Sequence, residues 1–412
     1  MATDDLIVGL DIGTTKVCVI IGQIGEQGGL EITGVGITPS RGLRRGVVIN
    51  IDATVKSIAA AVEEAEMMSG REVQDVYAGI AGGHIESVNS RGVVAVTGKK
   101  REIGQDDIDR VKEAAGAIVI PMDREVLHVI TQEYVVDGQA GIRSPLGMTG
   151  VRLEAEVHIV TGAVSSAQNI IRCVNRSGFK VSDIVLEPLA SARSVLTDDE
   201  KELGVLLVDL GGGTTDVLVH IEGSPYHTEV LAVGGDHVTS DLSIMLRTPN
   251  EAAEQVKRDA GCCYLPMLDE PDAETSIPGV GGRPPRIITR RELCEIIQPR
   301  MSEMLGSVKA QIERAGYLSR LAGGVVITGG GSLLPGTEEL ASEIFGLPAR
   351  IGYPARLGGL VEEYHSPIFA TGVGLVQYGA AHLGVEQLNM DTSEAGFTSV
   401  WARMRKWFGE FF

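Results

Sequence analysis

A chain of 412 residues, 43% hydrophobic and 22% charged, holds enough apolar material for two to four packed domains, and with no run of about 18 apolar residues it has no segment that spans a bilayer as a helix. Its formal net charge of −19 excludes general affinity for nucleic acid, whose phosphates would be repelled. Cys18, Cys173, Cys262, Cys263 and Cys294 fall at no metal-ligand spacing and read as reduced thiols of a cytoplasmic protein, and Asp4 and Asp5 are the wrong sign for a secretion signal.

In chain order, LIVGLDIGTTKVCVIIGQI predicts a hairpin around a Gly-Thr turn. Helical spacing from Asp52 to Ser69 stops at Gly70, and DVYAGIAGG follows as a short buried strand. From His84 to Thr161 the texture changes. VNSRGVVAVTG reads as a strand pair, IGQDDIDRVKEAAGAI as a helix with acids in its first turn, and LHVITQEYVVDG and VRLEAEVHIVTG as strands, together a small inserted α+β domain. A helix over Ser165–Ser177, the strand VSDIVLEP and the helix PLASARSVL lead to GVLLVDLGGGTTDVLVHIEG, a second strand–turn–strand. Residues 248–263 and 289–320 read as helical, with LDEPDAETSIPGVGGRPPR a loop between them. GGVVITGGGSLLPGTEELASEIFG is a strand, a glycine turn and a helix, and residues 384–398 read as a tether.

The tail SVWARMRKWFGEFF is a separate case. At 100° per residue Val400, Trp401, Met404, Trp407, Phe408, Phe411 and Phe412 share one arc, while Arg403, Arg405, Lys406 and Glu410 share the opposite one. An aromatic face backed by basic residues predicts a helix lying in an anionic membrane surface. The alternative is a helix docked on the protein itself or on a partner.

The chemistry sits in a repeat. VGLDIGTTKV (8–17) and LVDLGGGTTDV (207–217) are each an apolar strand, an aspartate, a Gly-rich turn with two threonines, and a second strand. Half a chain apart, they predict two similar lobes. Glycine turns let backbone N–H groups converge on phosphate oxygens, and the hydroxyls of Thr14, Thr15, Thr214 and Thr215 add donors. Asp11 and Asp209 would repel phosphate unless a cation lay between, which suits Mg²⁺ held by one or two carboxylates. A third turn, VVITGGGSLLPG (325–336), contributes Gly329, Gly330, Gly331 and Ser332; it is neither a Walker A loop nor a dinucleotide fingerprint.

These three turns in this order resemble the nucleotide clasp of the actin, heat-shock chaperone and sugar-kinase superfamily, with SSAQNIIRCV and SPIFATGVGL similar to its two interlobe helices. Within it, LDIGTTKV, VYAGIAGGHIES, LEPLASA, VGGDHVTSDLS and ITGGGSLLPG resemble the FtsA family of bacterial cell-division proteins. That resemblance implies an α/β, actin-like two-lobed fold of duplicated ribonuclease-H-like domains, with an inserted small domain and a C-terminal amphipathic helix. The implied parts are a first lobe (1–83 and 363–383), the insert (84–163), a second-lobe core (164–240 and 308–362), its outer subdomain (241–307), a linker (384–398) and the membrane helix (399–412).

The resemblance also implies roles. Asp11 and Asp209 would organise Mg²⁺ through water. Gly13, Thr14, Thr15, Lys16 and Gly211, Gly212, Gly213, Thr214 and Thr215 would contact the phosphates of ATP, with Asp216 and Gly235 beside them. Glu187 would orient the attacking water; its place before a Pro-started helix suits a general base. Glu254 and Lys257 would reach the sugar and base, or else form a surface ion pair. Arg290, Arg291 and Arg300 would draw the acidic C-terminal peptide of FtsZ. The implied function is a slow ATPase that polymerises with itself beneath the cytoplasmic membrane, anchors the FtsZ ring and recruits later division proteins through the insert. The alternatives are a pilus-assembly homologue, a small-molecule kinase, which the lack of a second-substrate motif argues against, and a chaperone, which would need a long domain after residue 380.

Overall fold

The computed structural model describes residues 6–25 and 29–391. β1 (Leu6–Ile12) and β2 (Lys16–Ile24) form the expected hairpin, with Leu6 opposite Gln23 and Ile12 opposite Val17, and β3 (Leu30–Pro39) extends it antiparallel. A short ladder of β4 (Leu43–Arg44) and β5 (Val47–Val48) precedes α1 (Ile51–Ser69). The Asn50 side chain accepts from Ala53 N at the start of α1, Ile58, Ala61, Val62 and Ala65 line its buried face, and Gly70 ends it at φ 67°. β6 (Asp75–Ile80) then pairs parallel with β1.

The insert comprises β7 (Glu86–Ala95), α2 (Gln105–Gly116), β8 (Arg124–Val136), β9 (Gln139–Ile142) and β10 (Arg152–Ala163), in a sheet of order β7-β10-β8-β9. Ile103, Val111, Leu153 and Val157 give it a core of its own. VNSRGVVAVTG is one edge strand rather than a pair, because it ladders continuously along β10 from Ala95–Arg152 to Glu86–Thr161.

β10 runs directly into α3 (Val164–Arg176), and β11 (Lys180–Leu186) pairs parallel with β6. Both elements belong to the first lobe: Ala167, Ile170, Cys173 and Val174 share a core with Val8, Leu10 and Ile58. This corrects the expected boundary at 164 and the reading of SSAQNIIRCV as an interlobe helix. The crossing falls one strand later, at α4 (Glu187–Val195).

After α5 (Asp198–Leu203) the second lobe repeats the first. β12 (Val205–Leu210), β13 (Thr215–Ile221) and β14 (Ser224–Leu231) are an antiparallel meander, followed by α6 (Gly235–Leu246) and α7 (Asn250–Ala260). The stretch read as a loop (268–286) contains one strand, β15 (Glu274–Ile277), and leads into a second, β16 (Arg286–Thr289), which pairs with it antiparallel. Its Pro and Gly residues form the turn while Ile277 and Ile288 are buried, so composition hid the strands. α8 (Arg290–Arg314) follows, capped by Thr289 and Glu292. β17 (Val325–Thr328), α9 (Thr337–Phe345) and β18 (Ala349–Ile351) complete a sheet of order β14-β13-β12-β17-β18, matching β3-β2-β1-β6-β11 strand for strand and direction for direction.

β19 (Gly358–Gly359) returns to pair with β3, so the second-lobe core ends before 358 rather than at 362. α10 (Val361–Tyr364) and α11 (Ala370–Asp391) pack on the first sheet through Tyr364, Val373 and Val376. α11 reaches into the stretch expected as a linker, since residues 384–391 are helical. Residues 392–398 and the 399–412 helix lie outside the described residues. α4 and α11 cross closely, for a Cβ on Gly374 would stand 1.8 Å from the carbonyl oxygen of Ala190.

The insert also touches the second lobe along β14. Ser87 Oγ donates to Thr228 O at 2.9 Å, Asn89 Nδ2 to Tyr226 O at 3.0 Å, and Gln132 Nε2 to Pro225 O at 2.9 Å. His158 Nδ1 lies 2.7 Å from Asn89 Oδ1 and its Nε2 2.9 Å from Thr228 Oγ1. Asn89 presents its oxygen, so Nδ1 carries the proton and the threonine hydroxyl donates to Nε2. Burial pushes this imidazole down to about 3.

Candidate functional site

The two hairpin turns, residues 13–16 and 211–214, face each other across the lobes. Each sits between matched pairs: Asp11 opposite Cys18 in the first, Asp209 opposite Asp216 in the second. A Cβ on Gly212 would lie 2.3 Å from Thr15 Cγ2, and one on Gly213 would lie 2.5 Å from Thr14 Oγ1. Glycine is therefore required for this approach, and the threonines of one lobe occupy the room left beside the glycines of the other.

Around the turns lies a buried acidic cluster. Asp11, Asp209 and Asp216 are each less than a tenth exposed. Glu187 starts α4, and Gly79 on β6 gives it room, for a Cβ there would stand 3.0 Å from Glu187 Cγ. Burial, then the charges of Asp11, Asp216 and Asp209, pushes the Glu187 carboxyl well above its ordinary range. Burial and Asp209 do the same to Asp216, and burial raises Asp209 against the opposing bond from Ser191. These mutual effects tie all four acids into one site. Lys16 Nζ is 2.8 Å from Asp11 Oδ2; burial disfavours its charge, but Asp11, Cys18 and Asp209 hold the ammonium above its ordinary value.

One oxygen of Asp216, Oδ1, is buried with no protein partner, while Oδ2 accepts from Thr214 at 3.4 Å. So many buried carboxyls beside one lysine call for more positive charge. The donors are all oxygen, which suits a hard divalent cation. Among the described residues no three His, Cys, Asp or Glu side chains converge to ligate one ion directly, so a cation here would be held through water and through a ligand's oxygens.

The third turn lies against the end of β12. Gly329 has φ 80°, and a Cβ on it would stand 2.2 Å from Asp209 Oδ1; Gly331 fits over Leu210 in the same way. Gly330 packs beside Ile368, and Ser332 Oγ donates to Gly329 O at 2.7 Å, so that hydroxyl is spent inside the turn. The start of α6 braces the second turn, with Gly235 N donating to Gly211 O at 2.9 Å and Asp236 N to Gly212 O at 2.8 Å. Lys257 Nζ reaches Gly235 O at 3.3 Å and Glu254 Oε2 at 2.6 Å. Glu254 and Lys257 therefore form an ion pair and stand beside the second turn at once.

The three arginines do not form an open basic surface. Arg290 donates to the carbonyls of Ala260 and Asp269, Arg300 grips Asp241 with two nitrogens and also pairs with Glu303, and Arg291 lies 3.8 Å from Asp272. The membrane-facing residues proposed between Val400 and Phe412 lie outside the described residues. No described helix is long and apolar enough to cross a membrane.

Sequence reading missed Ser191 and Thr371, whose hydroxyls reach Asp209 Oδ2 at 2.7 and 3.4 Å. Ser191 was accessible, since it lies one helical turn after Glu187 and shares its face; nothing local marks Thr371.

The family model described as cell division protein FtsA matches residues 206–374, and that of the SHS2 domain inserted in FtsA matches residues 82–161. The cell division protein FtsA of Pseudomonas aeruginosa is 47% identical over 408 residues, covering 98% of this chain and 97% of that one. That of Escherichia coli K12 is 39% identical over 394 residues, covering 93% of each. Among solved structures, the PilM–PilN type IV pilus biogenesis complex aligns with a TM-score of 0.66 at 16% identity, over 91% of this chain and 98% of that one. MreB5 of Spiroplasma citri bound to AMPPNP aligns with a TM-score of 0.56 at 14% identity, over 96% of this chain and all of that one. The fold is the actin-like one.

Proposed function

The chain belongs to the FtsA family of cell-division proteins, and on that premise we propose that it binds ATP with Mg²⁺ between its lobes, polymerises on the cytoplasmic face of the cell membrane at the division site, and anchors the FtsZ ring there. The observation that carries the nucleotide reading is the fit of Thr14 and Thr15 against Gly213 and Gly212 over the shared acids Asp11, Asp209, Asp216 and Glu187. The MreB5 structures, bound to ADP and to AMPPNP, support it at the level of fold.

In this reading the backbone N–H groups of residues 13–16 and 211–214 hold the phosphates, and Lys16 adds a positive charge. Asp11 and Asp209 hold Mg²⁺ through water, and the ion, when bound, neutralises charge on the phosphate oxygens. Glu187 orients the attacking water and, as the carboxylate, accepts its proton. Glu254 and Lys257 stand on the sugar and base side.

The aromatic and basic tail attaches the chain to anionic lipid. One short helix binds weakly, and polymerisation multiplies the attachments. The outer subdomain receives the FtsZ C-terminal peptide. Because Arg300 and Arg290 are internally engaged, Arg291 and the exposed apolar residues Leu265, Met267 and Ile287 are the groups open to it. Later division proteins meet the insert. The pilus-assembly alternative rests on shared fold at 16% identity alone.

The test is liposome co-sedimentation with and without ATP, comparing the full chain with one ending at residue 398. ATP-enhanced binding by the full chain and none by the shorter one is expected. Equal binding by both removes the tail from the reading.

A further inference from the structure

Two hydroxyls from different helices converge on one carboxylate oxygen. Ser191 Oγ donates to Asp209 Oδ2 at 2.7 Å, Thr371 Oγ1 lies 3.4 Å from the same oxygen, and the hydroxyls are 3.0 Å apart. All three residues are buried. The other oxygen, Oδ1, is confined by Gly329, where not even a methyl group fits. One oxygen of Asp209 is thus held, and the other crowded, by groups outside its own hairpin. Asp11, its counterpart in the first lobe, is held instead by Lys16 of its own hairpin.

The origin of the hydroxyls matters. Ser191 is on α4, which carries the chain from the first lobe to the second. Thr371 is in the first turn of α11, whose body lies on the first-lobe sheet. The two helices meet where Gly374 approaches Ala190, and Ser194 Oγ donates to Ala370 O at 2.6 Å, tying the same two turns together. Charge-assisted bonds of this kind are strong and steeply dependent on distance and angle. A slide of α11 along α4 therefore changes how Asp209 is held.

We infer that Ser191 and Thr371 are positioning residues: they set the Asp209 carboxylate for its cation and make its orientation follow the crossing of α4 and α11, so that lobe rotation and cation binding are coupled. The inference rests on the proposed Mg²⁺–ATP reading of the cleft.

The test uses the full chain and a fluorescent ATP analogue. Its affinity is measured by anisotropy across a Mg²⁺ titration and again in excess EDTA. Ser191→Ala and Thr371→Val are expected to raise the Mg²⁺ concentration for half-maximal effect about tenfold each, the loss of one hydrogen bond to a charged group. Their affinities in EDTA stay at the wild-type value. Thr371→Ser keeps the hydroxyl and restores wild-type Mg²⁺ dependence, and Asp209→Asn abolishes that dependence. If Ser191→Ala does not fold, as thermal melting reports, the Thr371→Val and Thr371→Ser pair decides on the same titration. Wild-type Mg²⁺ dependence in folded Ser191→Ala and Thr371→Val overturns the inference while leaving the nucleotide reading intact. A wild-type chain whose binding ignores Mg²⁺ overturns that reading and the inference with it.

Discussion

Glu187, half-buried, and Asp209, buried, are acids at the mouth of α4 that answer to different neighbours. Glu187 is surrounded by like charge, while Asp209 is held by hydroxyls. Glu187→Gln is accordingly expected to lower ATP hydrolysis by about 10²-fold or more, in the range of a lost proton acceptor, with nucleotide affinity unchanged; single-turnover assays and equilibrium binding separate the two. Asp11 and Asp209 were legible in the sequence because the repeat marked them twice, each at the end of an apolar strand. Ser191 was within reach, one helical turn after Glu187, but Thr371 was not, because a hydrogen bond between residues 162 apart leaves no local pattern.

The buried histidines give a second prediction at this scale. Burial pushes His158 down to about 3 and His128 and His220 to about 4. Each is neutral in the fold, whereas the unfolded chain takes up a proton near 6.5. Their contribution to stability is complete above pH 6.5 and is lost as pH falls from there toward 4. Each loses about 1.4 kcal/mol by pH 5.5. Denaturant melts between pH 7 and 5 should show this slope, and His158→Gln should flatten it by one residue's share.

Among elements, α4 and α11 depend most on a single small residue. Gly374→Ala places a methyl group 1.8 Å from Ala190 O, and overpacking of that kind should cost ~3 kcal/mol, measured as a shift in urea midpoint at constant slope. Element identity was mostly readable from apolar periodicity: α1, the two hairpins and the insert stand where expected. The failures have physical causes. α3 was given to the wrong lobe because an amphipathic helix shows that it has a buried face but not which sheet covers it. The β15–β16 ladder was hidden because its strands are four residues each and sit among prolines and glycines.

For the whole molecule, duplication was legible and closure was not. Two equivalent hairpins announced two lobes, but only the packing of Thr14 and Thr15 onto Gly213 and Gly212 brings the turns together. The insert adds a second link between lobes. Combined Ser87→Ala and Asn89→Ala changes should speed hydrogen exchange at Thr228 N–H, which now donates to Ser87 Oγ at 3.3 Å, and leave exchange in β12 unchanged; mass spectrometry of the deuterated chain resolves this.

That seam has a wider consequence. The outermost strand of the second sheet, β14, is finished by serine, asparagine and glutamine side chains rather than by another strand. Those bonds occupy the carbonyls of Pro225, Tyr226 and Thr228 and the N–H of Thr228, which leaves less backbone there for a stray extended peptide to pair with. In the proposed polymer, copies of the chain crowd together on one surface, and this bonding along β14 disfavours the amyloid-like strand-on-strand stack that an open margin would invite.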